Sequence, residues 1–580
     1  MVRPPEEQPA WLAALAEALV EALPRLAQAE ENPRLAELIR ALTAALARGD
    51  AELRLHAPAP PEVDAHHWPD GHRRALEASP LARPPWGPLV LDDGRIVWRR
   101  WWERRQNVLE TLIRRAEIAP TAAPAAGGYR PEATADETPE PFDAQLDPDQ
   151  RRAVAAVLRH RLVLLQGGPG TGKTSTVVRM LARLERHHSG ARLHLAAPTG
   201  KAAARLRAAS GGRHPCTTLH RLLESRGEGF ARNRHNPLPL DLLVVDEVSM
   251  VDLGLMEALL EALPDACRLV LVGDPAQLPP VAPGPLLPEL QRPALQQALG
   301  AAAVTLRTVH RNDGAIAVAA ARLRQGIEAA EAGGDGVEAW DPLLSLRPLL
   351  ERLGPADNLC WHECASASLP EPVLEPLQRH RRRLAELAGA CGGAAGGPQA
   401  AGASARAAER ALLAERDRLL VLVPRRRGRW GVEAIHRALL GSAALADPRL
   451  WPAGTPVLCT RNLPELNLAN GDLGVVLDAD PLDGSRWLLF GSGESVEDEA
   501  AVGGETLRIH PAQLAGSLEP ALALTVHKAQ GSEAETVIVL LPGGERSDGR
   551  LLYTALTRAR RRALLVSAAE SRSVKAINET

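Results

Sequence analysis

Gly167-Gly168-Pro169-Gly170-Thr171-Gly172-Lys173-Thr174 decides the fold. An apolar run, Leu162 to Leu165, precedes it and predicts a buried parallel strand. Ser175-Thr176-Val177-Val178-Arg179-Met180-Leu181 follows and predicts a helix. Strand, G-x-x-x-x-G-K-T and helix together make a phosphate-binding P-loop. The glycines let the backbone fold tightly, so successive N–H groups converge on one anion. The positive end of the helix adds to that field. Lys173 is expected to reach the β- and γ-phosphates of a nucleotide, and the Thr174 hydroxyl to hold Mg²⁺.

Upstream, Leu146-Asp147-Pro148-Asp149-Gln150 opens a helix carrying Ala153, Val154 and Val157, with Pro148 suited to its first turn. The Gln150 amide can both donate and accept, as reading an adenine edge requires. Residues 119–143, rich in Pro, Ala, Gly, Thr and Glu, are expected to be a linker. Before it, residues 1–118 predict a small, mainly helical domain, with Leu and Ala at helical spacing interrupted by Pro24 and Pro33. Leu89 to Trp98 predicts a hairpin turning at Asp93-Gly94. The basic aromatic helix after it, with Arg99, Arg100, Trp101, Trp102, Arg104 and Arg105, leaves two readings open: tryptophans packed on their own domain, or a docking surface for a partner.

Downstream, the strand Arg192 to Ala197 ends in Pro198-Thr199-Gly200-Lys201, and Thr217-Thr218-Leu219-His220 follows. Thr199 and backbone amides at a strand end suit a nucleic-acid phosphate; helix capping explains these stretches equally well. Leu242-Leu243-Val244-Val245 is a buried strand ending in Asp246-Glu247. Asp246 is expected to hold the Mg²⁺ shell, and Glu247 to polarise the attacking water. The strand Arg268 to Val272 leads to Gly273-Asp274-Pro275-Ala276-Gln277, where Gln277 can sense the γ-phosphate. Arg311 stands where a second lobe begins, and a guanidinium can grip a phosphate bidentately. Residues 384–413, rich in Ala and Gly, predict an exposed, mobile insertion. Pro424-Arg425-Arg426-Arg427-Gly428-Arg429-Trp430 is either a nucleic-acid contact or a solvated loop. Residues 454–517 read as a β-rich insert. The end returns to strand–helix texture, with Thr525-Val526-His527-Lys528-Ala529-Gln530-Gly531-Ser532-Glu533 and Tyr553-Thr554-Ala555-Leu556-Thr557-Arg558, where Arg558 is the natural second arginine finger.

The bulk numbers set bounds. A chain of 580 residues exceeds one core, so several domains are expected. No apolar run is long enough to span a bilayer, and Met1 to Glu7 lacks a signal-peptide core. Six scattered cysteines suit a reducing cytoplasm. Cys360 and Cys364 flank His362, but no second ligand pair at zinc spacing accompanies them. The formal charge of −3 announces no nucleic acid globally; a motor gripping DNA in a cleft needs only local positive charge.

In order, Gly167–Thr174, Asp246-Glu247, Gly273–Pro280, Arg311, Val526–Glu533 and Tyr553–Arg558 resemble the motifs of superfamily 1 DNA helicases. Thr525–Glu533 and Asn470-Gly471-Asp472-Leu473-Gly474 look like the RecD branch, the alpha subunit of exodeoxyribonuclease V, or RecBCD. The resemblance implies an α/β chain of two RecA-like motor domains, 144–305 and 306–580, with a helical N-terminal domain and a β-barrel-like insert. It implies ATP and Mg²⁺ between the lobes, with Gln150, the P-loop residues and Glu533 at the nucleotide. It places Pro198, Thr199, Thr218, His220, Thr525 and His527 on DNA. It further implies 5′-to-3′ translocation on single-stranded DNA and docking on the gamma subunit, beside the beta subunit, in a cytoplasmic helicase–nuclease. A free-standing RecD-like helicase would carry helix-hairpin-helix repeats, and residues 1–118 show no Gly-h-Gly pairs. A subunit that binds ATP only structurally is disfavoured by the intact Lys173, Asp246, Glu247 and both arginines. No carboxylate–lysine cluster of nuclease type appears outside the motor motifs.

Overall fold

A computed structural model describes residues 10–117, 146–188, 190–227, 229–309, 314–332, 340–365, 368–392, 403–445, 447–479, 486–491, 506–543 and 548–569. Arg311 and the linker 119–143 lie outside the described residues.

The P-loop strand, Leu162–Gly167, is interior to a six-stranded parallel sheet. The order is Ala303–Leu306, Leu162–Gly167, Arg268–Gly273, Leu242–Val245, Leu193–Ala197, Cys216–Thr218. Continuous apolar runs form these strands because both faces are covered. Leu162, Leu164, Leu243, Val245, Leu269 and Leu271 share one core with the helix Leu253–Ala262. Their neighbours Val163, Leu165, Val244 and Val270 share the opposite core with Pro148–Arg159, Lys173–His187 and Gly200–Ala209.

A second parallel sheet runs Leu359–Cys364, Ala559–Ala568, Ala534–Leu541, Leu419–Val423, Leu524–Thr525. The helices Ala315–Ala332 and Gly549–Leu556 cover one face. Glu371–Gly392 and Val432–Leu440 cover the other. The lobes touch directly: Ala276 and Leu278 of the first sit in the second lobe's core. The Leu278 N–H donates to Thr554 Oγ1 at 2.9 Å, and Gln530 Nε2 donates to the Leu278 carbonyl at 3.0 Å.

The insert is an antiparallel sheet of five strands, ordered Thr506–Ile509, Leu488–Gly491, Leu473–Val476, Pro456–Cys459, Leu518–Pro520. It therefore runs past 517 to Pro520. A Cβ on Gly474 would meet the Phe490 ring at 2.8 Å, so this close approach of strands needs glycine.

The expectation of a mobile Ala/Gly-rich insertion at 384–413 is overturned for the described part. Residues 384–392 continue the helix Glu371–Gly392, and Ala403–Arg416 is a second helix packed beside it. Leu384, Ala388, Cys391 and Leu412 are fully buried against Val475, Leu477 and Leu489 of the insert. Alanine is the strongest helix former, so its abundance marks closely packed helices here. Residues 393–402 lie outside the described residues.

Among the described residues, the N-terminal domain has four α-helices and a three-stranded antiparallel sheet, Glu52–Arg54, Arg95–Trp98, Leu89–Asp92. Pro24 lies within the last turn of Ala10–Ala27 and does not break it; Pro33 starts the next helix, Pro33–Ala47. Asp93 and Gly94 turn the hairpin at φ +48° and +69°, the left-handed pair such a turn requires. The helix Arg99–Glu117 holds Trp101 and Trp102 half-buried, and Trp102 packs within its own domain. Trp102 Nε1 donates to Asp92 Oδ2 at 3.0 Å within the domain. Val108, Leu109 and Leu112 enter the first lobe's core. Arg115 is buried and donates to the carbonyls of Cys267, Leu263 and Pro264 at 2.9, 3.0 and 3.0 Å.

Candidate active site

The P-loop takes its shape from Gly170 and Gly172, at φ +75° and +82°. Thr171 Oγ1 donates to the Gly168 carbonyl at 2.9 Å, closing the loop. Lys173 begins the helix Lys173–His187, and its Nζ folds back onto the carbonyls of Gly167 and Gly168 at 2.7 and 2.9 Å. Thr174 follows in the first turn. Gln150 is buried and braces this loop. It completes a capping box with Asp147, and its Nε2 donates to the Thr171 carbonyl at 3.4 Å.

Asp246 and Glu247 end the strand Leu242–Val245 and are 7% and 6% exposed. Burial, and then the charge of Glu247, push the Asp246 carboxyl above the usual carboxylate range, with Arg205 opposing. Glu247 adopts φ +53°, ψ +43°, a left-handed conformation that costs an L-residue about 1–2 kcal/mol. Its N–H donates to Asp246 Oδ1 at 2.8 Å.

The second lobe completes the site. Arg558 is 3% exposed, and its Nη2 donates to Gln277 Oε1 across the lobes at 2.6 Å. Tyr553 donates to Asp274 Oδ2 at 2.7 Å, and burial raises its hydroxyl well above the ordinary value. Arg324, on Ala315–Ala332, donates to Asp274 Oδ1 at 2.5 Å and to Tyr553 Oη at 2.8 Å. A Cβ on Gly168 would stand 3.1 Å from Arg324 Nη2, so this guanidinium faces the P-loop. The motifs gave no sign of Arg324 or of Arg205, whose partners are described below.

Glu533, predicted at the nucleotide, lies on the seam between lobes. Burial alone would raise its carboxyl, but Arg205, Arg560 and Arg558 hold it below the usual range. It accepts from Arg205 Nη1 at 2.8 Å and Arg560 Nε at 3.0 Å.

Of the six residues predicted on DNA, Pro198, Thr199, Thr218 and His220 belong to the first lobe and Thr525 and His527 to the second. Thr199 and Thr218 both cap helices, accepting from the N–H groups of Ala202 and Arg221 at 3.3 Å each. Thr525 accepts from the Lys528 N–H at 3.3 Å. Pro198 and His527 are half-buried, and His220 is exposed, 6.0 Å from the Phe230 ring. Thr218 and His220 line a cleft of about 820 Å³ between the lobes and the insert, with Lys201, Arg205 and Arg560. Trp430 is no stacking platform: it is 2% exposed, and its Nε1 donates to the Ser368 carbonyl at 2.9 Å. Arg429 lies over its ring at 4.5 Å.

An AAA domain model matches residues 150–283, and a UvrD-like helicase C-terminal domain model matches residues 520–566. The RecBCD enzyme subunit RecD of Mycolicibacterium smegmatis is 36% identical over 542 residues, covering 86% of this chain and 83% of that protein. This chain belongs to the RecD family. The ATP-dependent RecD2 DNA helicase of Deinococcus radiodurans is 34% identical over 448 residues, 75% of this RecD-family chain and 51% of that protein. A crystal structure of Bacteroides Pif1 bound to ssDNA matches 75% of this RecD-family chain and 96% of its own at 17% identity, with a TM-score of 0.39. Among the described residues, no helix is long and apolar enough to cross a membrane, and no cluster of three metal-ligating side chains occurs.

Proposed function

We propose that this chain is an ATP-dependent DNA helicase, the motor subunit of a RecBCD-type helicase–nuclease. In that role it serves double-strand break repair and the degradation of linear DNA. The observation that carries this is Arg558 reaching Gln277 across the lobes, with Arg324 and Tyr553 of the second lobe against Gly168 of the P-loop. One nucleotide site is thereby built from two bodies, which is what converts hydrolysis into relative motion. The larger share of RecD covered, 83% against 51% of RecD2, favours the subunit over a free-standing helicase.

Lys173 and the P-loop amides hold the β- and γ-phosphates, and Gln150 lies against the loop on the adenine side. Asp246 and Thr174 fit Mg²⁺, because a divalent cation removes the like-charge cost that Asp246 bears beside Glu247. Mg²⁺ held there supplies charge neutralisation on the phosphate oxygens. Glu247 takes the proton of the attacking water as its oxygen bonds to the γ-phosphorus and the bond to the β–γ bridging oxygen breaks. Arg311 and Arg558 stabilise the charge that develops, and Gln277 passes the change to the seam.

Pro198, Thr199, Thr218, His220, Thr525 and His527 take the phosphates of one DNA strand. Alternate opening and closing of the lobes moves that strand, 5′ to 3′ as in the family. The N-terminal domain docks on the gamma subunit, with the beta subunit in the same heterotrimer. The test is ATP hydrolysis and unwinding with single-stranded DNA and with 5′- or 3′-tailed duplexes. DNA-stimulated hydrolysis lost in Lys173→Gln, with unwinding only from a 5′ tail, is the expected result. Wild-type turnover in Lys173→Gln would sink the proposal.

A further inference from the structure

Glu247 has a charged partner on a neighbouring helix. Arg205 Nη2 donates to its Oε1 at 3.2 Å, while Nη1 of the same guanidinium donates to Glu533 Oε1 of the second lobe at 2.8 Å. One fork thus binds the carboxylate assigned to the attacking water and a carboxylate on the opposite lobe. Burial disfavours the Arg205 charge, but Glu533 and Glu247 more than restore it, so the guanidinium stays charged. This hydrogen bond turns a lone pair of Glu247 Oε1 toward Arg205, so that oxygen is not free to orient a water.

Arg205 is carried by the helix Gly200–Ala209, whose cap is Thr199. That cap is one of the groups assigned to DNA. A helix of this length moves as a rod, so a displacement at Thr199 reaches Arg205. The second lobe touches the same helix: Lys201 Nζ donates to Ser532 Oγ at 3.1 Å. A Cβ on Gly531 would lie 3.1 Å from Thr199 Oγ1. DNA at one end and lobe closure along the side therefore both act on the element that carries Arg205.

We propose that Arg205 is a positioning residue that restrains Glu247 in the DNA-free motor and releases it when a DNA strand at Thr199 and closure of the lobes shift the Gly200–Ala209 helix. This rests on the ATP-driven motor reading above. Glu533 holds the guanidinium while Glu247 is free, and the pair re-forms when DNA leaves. Hydrolysis without DNA is thereby kept low.

The test uses the full chain, with Arg205→Ala and Arg205→Lys, measuring ATP turnover without DNA and with saturating single-stranded oligonucleotide. Arg205→Ala is expected to raise DNA-free kcat about tenfold, the size of one lost charge-assisted hydrogen bond. KM for ATP and the DNA-saturated kcat stay within about threefold, so stimulation by DNA falls toward one. Arg205→Lys, which keeps the charge but not the fork, falls between wild type and Arg205→Ala. An unchanged DNA-free rate with full stimulation overturns the proposal. So does loss of both rates with ATP binding intact, or a weakened DNA affinity with an unchanged DNA-free rate. If Arg205→Ala does not fold, Arg205→Lys decides alone, and a wild-type DNA-free rate in it is the overturning result. A wild-type chain whose hydrolysis ignores DNA would instead defeat the motor reading itself.

Discussion

Arg558 on the second lobe donates to Gln277 on the first at 2.6 Å, with both side chains buried. Arg558 Nε is meanwhile anchored within its own lobe, on the Thr554 carbonyl at 3.2 Å. Its reach is set by the Gly549–Leu556 helix, and a terminal phosphate beside Gln277 would compete for the same guanidinium. On the motor reading proposed above, hydrolysis would be felt at Gln277 as a change of partner.

Arg558→Ala is expected to lower kcat by about 10³–10⁵ with ATP binding largely kept, because its charge acts on the transition state. Arg558→Lys should not restore the rate, since an ammonium has no fork to span Gln277 and a phosphate. Steady-state ATPase with a nucleotide-binding assay checks both. A loss confined to KM would place Arg558 in ground-state binding only.

Arg115→Met should destabilise the N-terminal half by about 3 kcal/mol, because three buried carbonyls lose their donor at once. Urea denaturation followed by protease sensitivity of the Arg99–Glu117 helix measures this. A change within error would show that water replaces the guanidinium.

Leu412→Ala should cost about 2–4 kcal/mol, as expected for emptying a fully buried leucine site. An exposed arm would tolerate the change. The thermal midpoint of the second lobe separates these outcomes.

Lys201 gives a pH-dependent test. Burial in the cleft, then the charge of Arg416, push its ammonium down to about 7. An unfolded lysine titrates at about 10.4, so between those values the unfolded chain holds more protons and stability rises with pH. Below about pH 7 both states are protonated and the contribution is flat. Wild type should therefore gain stability relative to Lys201→Met between about pH 7 and 9 in paired denaturant melts. A difference that does not change with pH would remove the buried-ammonium account.

The P-loop turn and the strand ending in Asp246-Glu247 were legible because their patterns are local. Gly167–Thr174 needs only neighbouring residues to make a phosphate cradle, and Leu242–Val245 announces a buried strand with Asp246-Glu247 at its end. Arg205 and Arg324 were not legible. Their partners lie 42, 328, 50 and 229 residues away, at Glu247, Glu533, Asp274 and Tyr553. A lone arginine on a helix carries no spacing signal. The Ala/Gly-rich stretch misled for a different reason. Low complexity reads as solvent exposure, yet small side chains also let two helices lie close together. Trp430 among arginines looked like a base-stacking surface, whereas its ring fills the second lobe's core.

The helix Arg99–Glu117 shares its hydrophobic interior with the first lobe, and Arg104 pins it to Glu257 at 2.6 Å. Whatever grips the N-terminal domain therefore grips that lobe too. On the motor reading proposed above, these two bodies would form the stator, and the second lobe with its β insert the oar. A subunit clamped to the stator would feel each stroke as recoil, and the cargo strand would be hauled past a fixed frame.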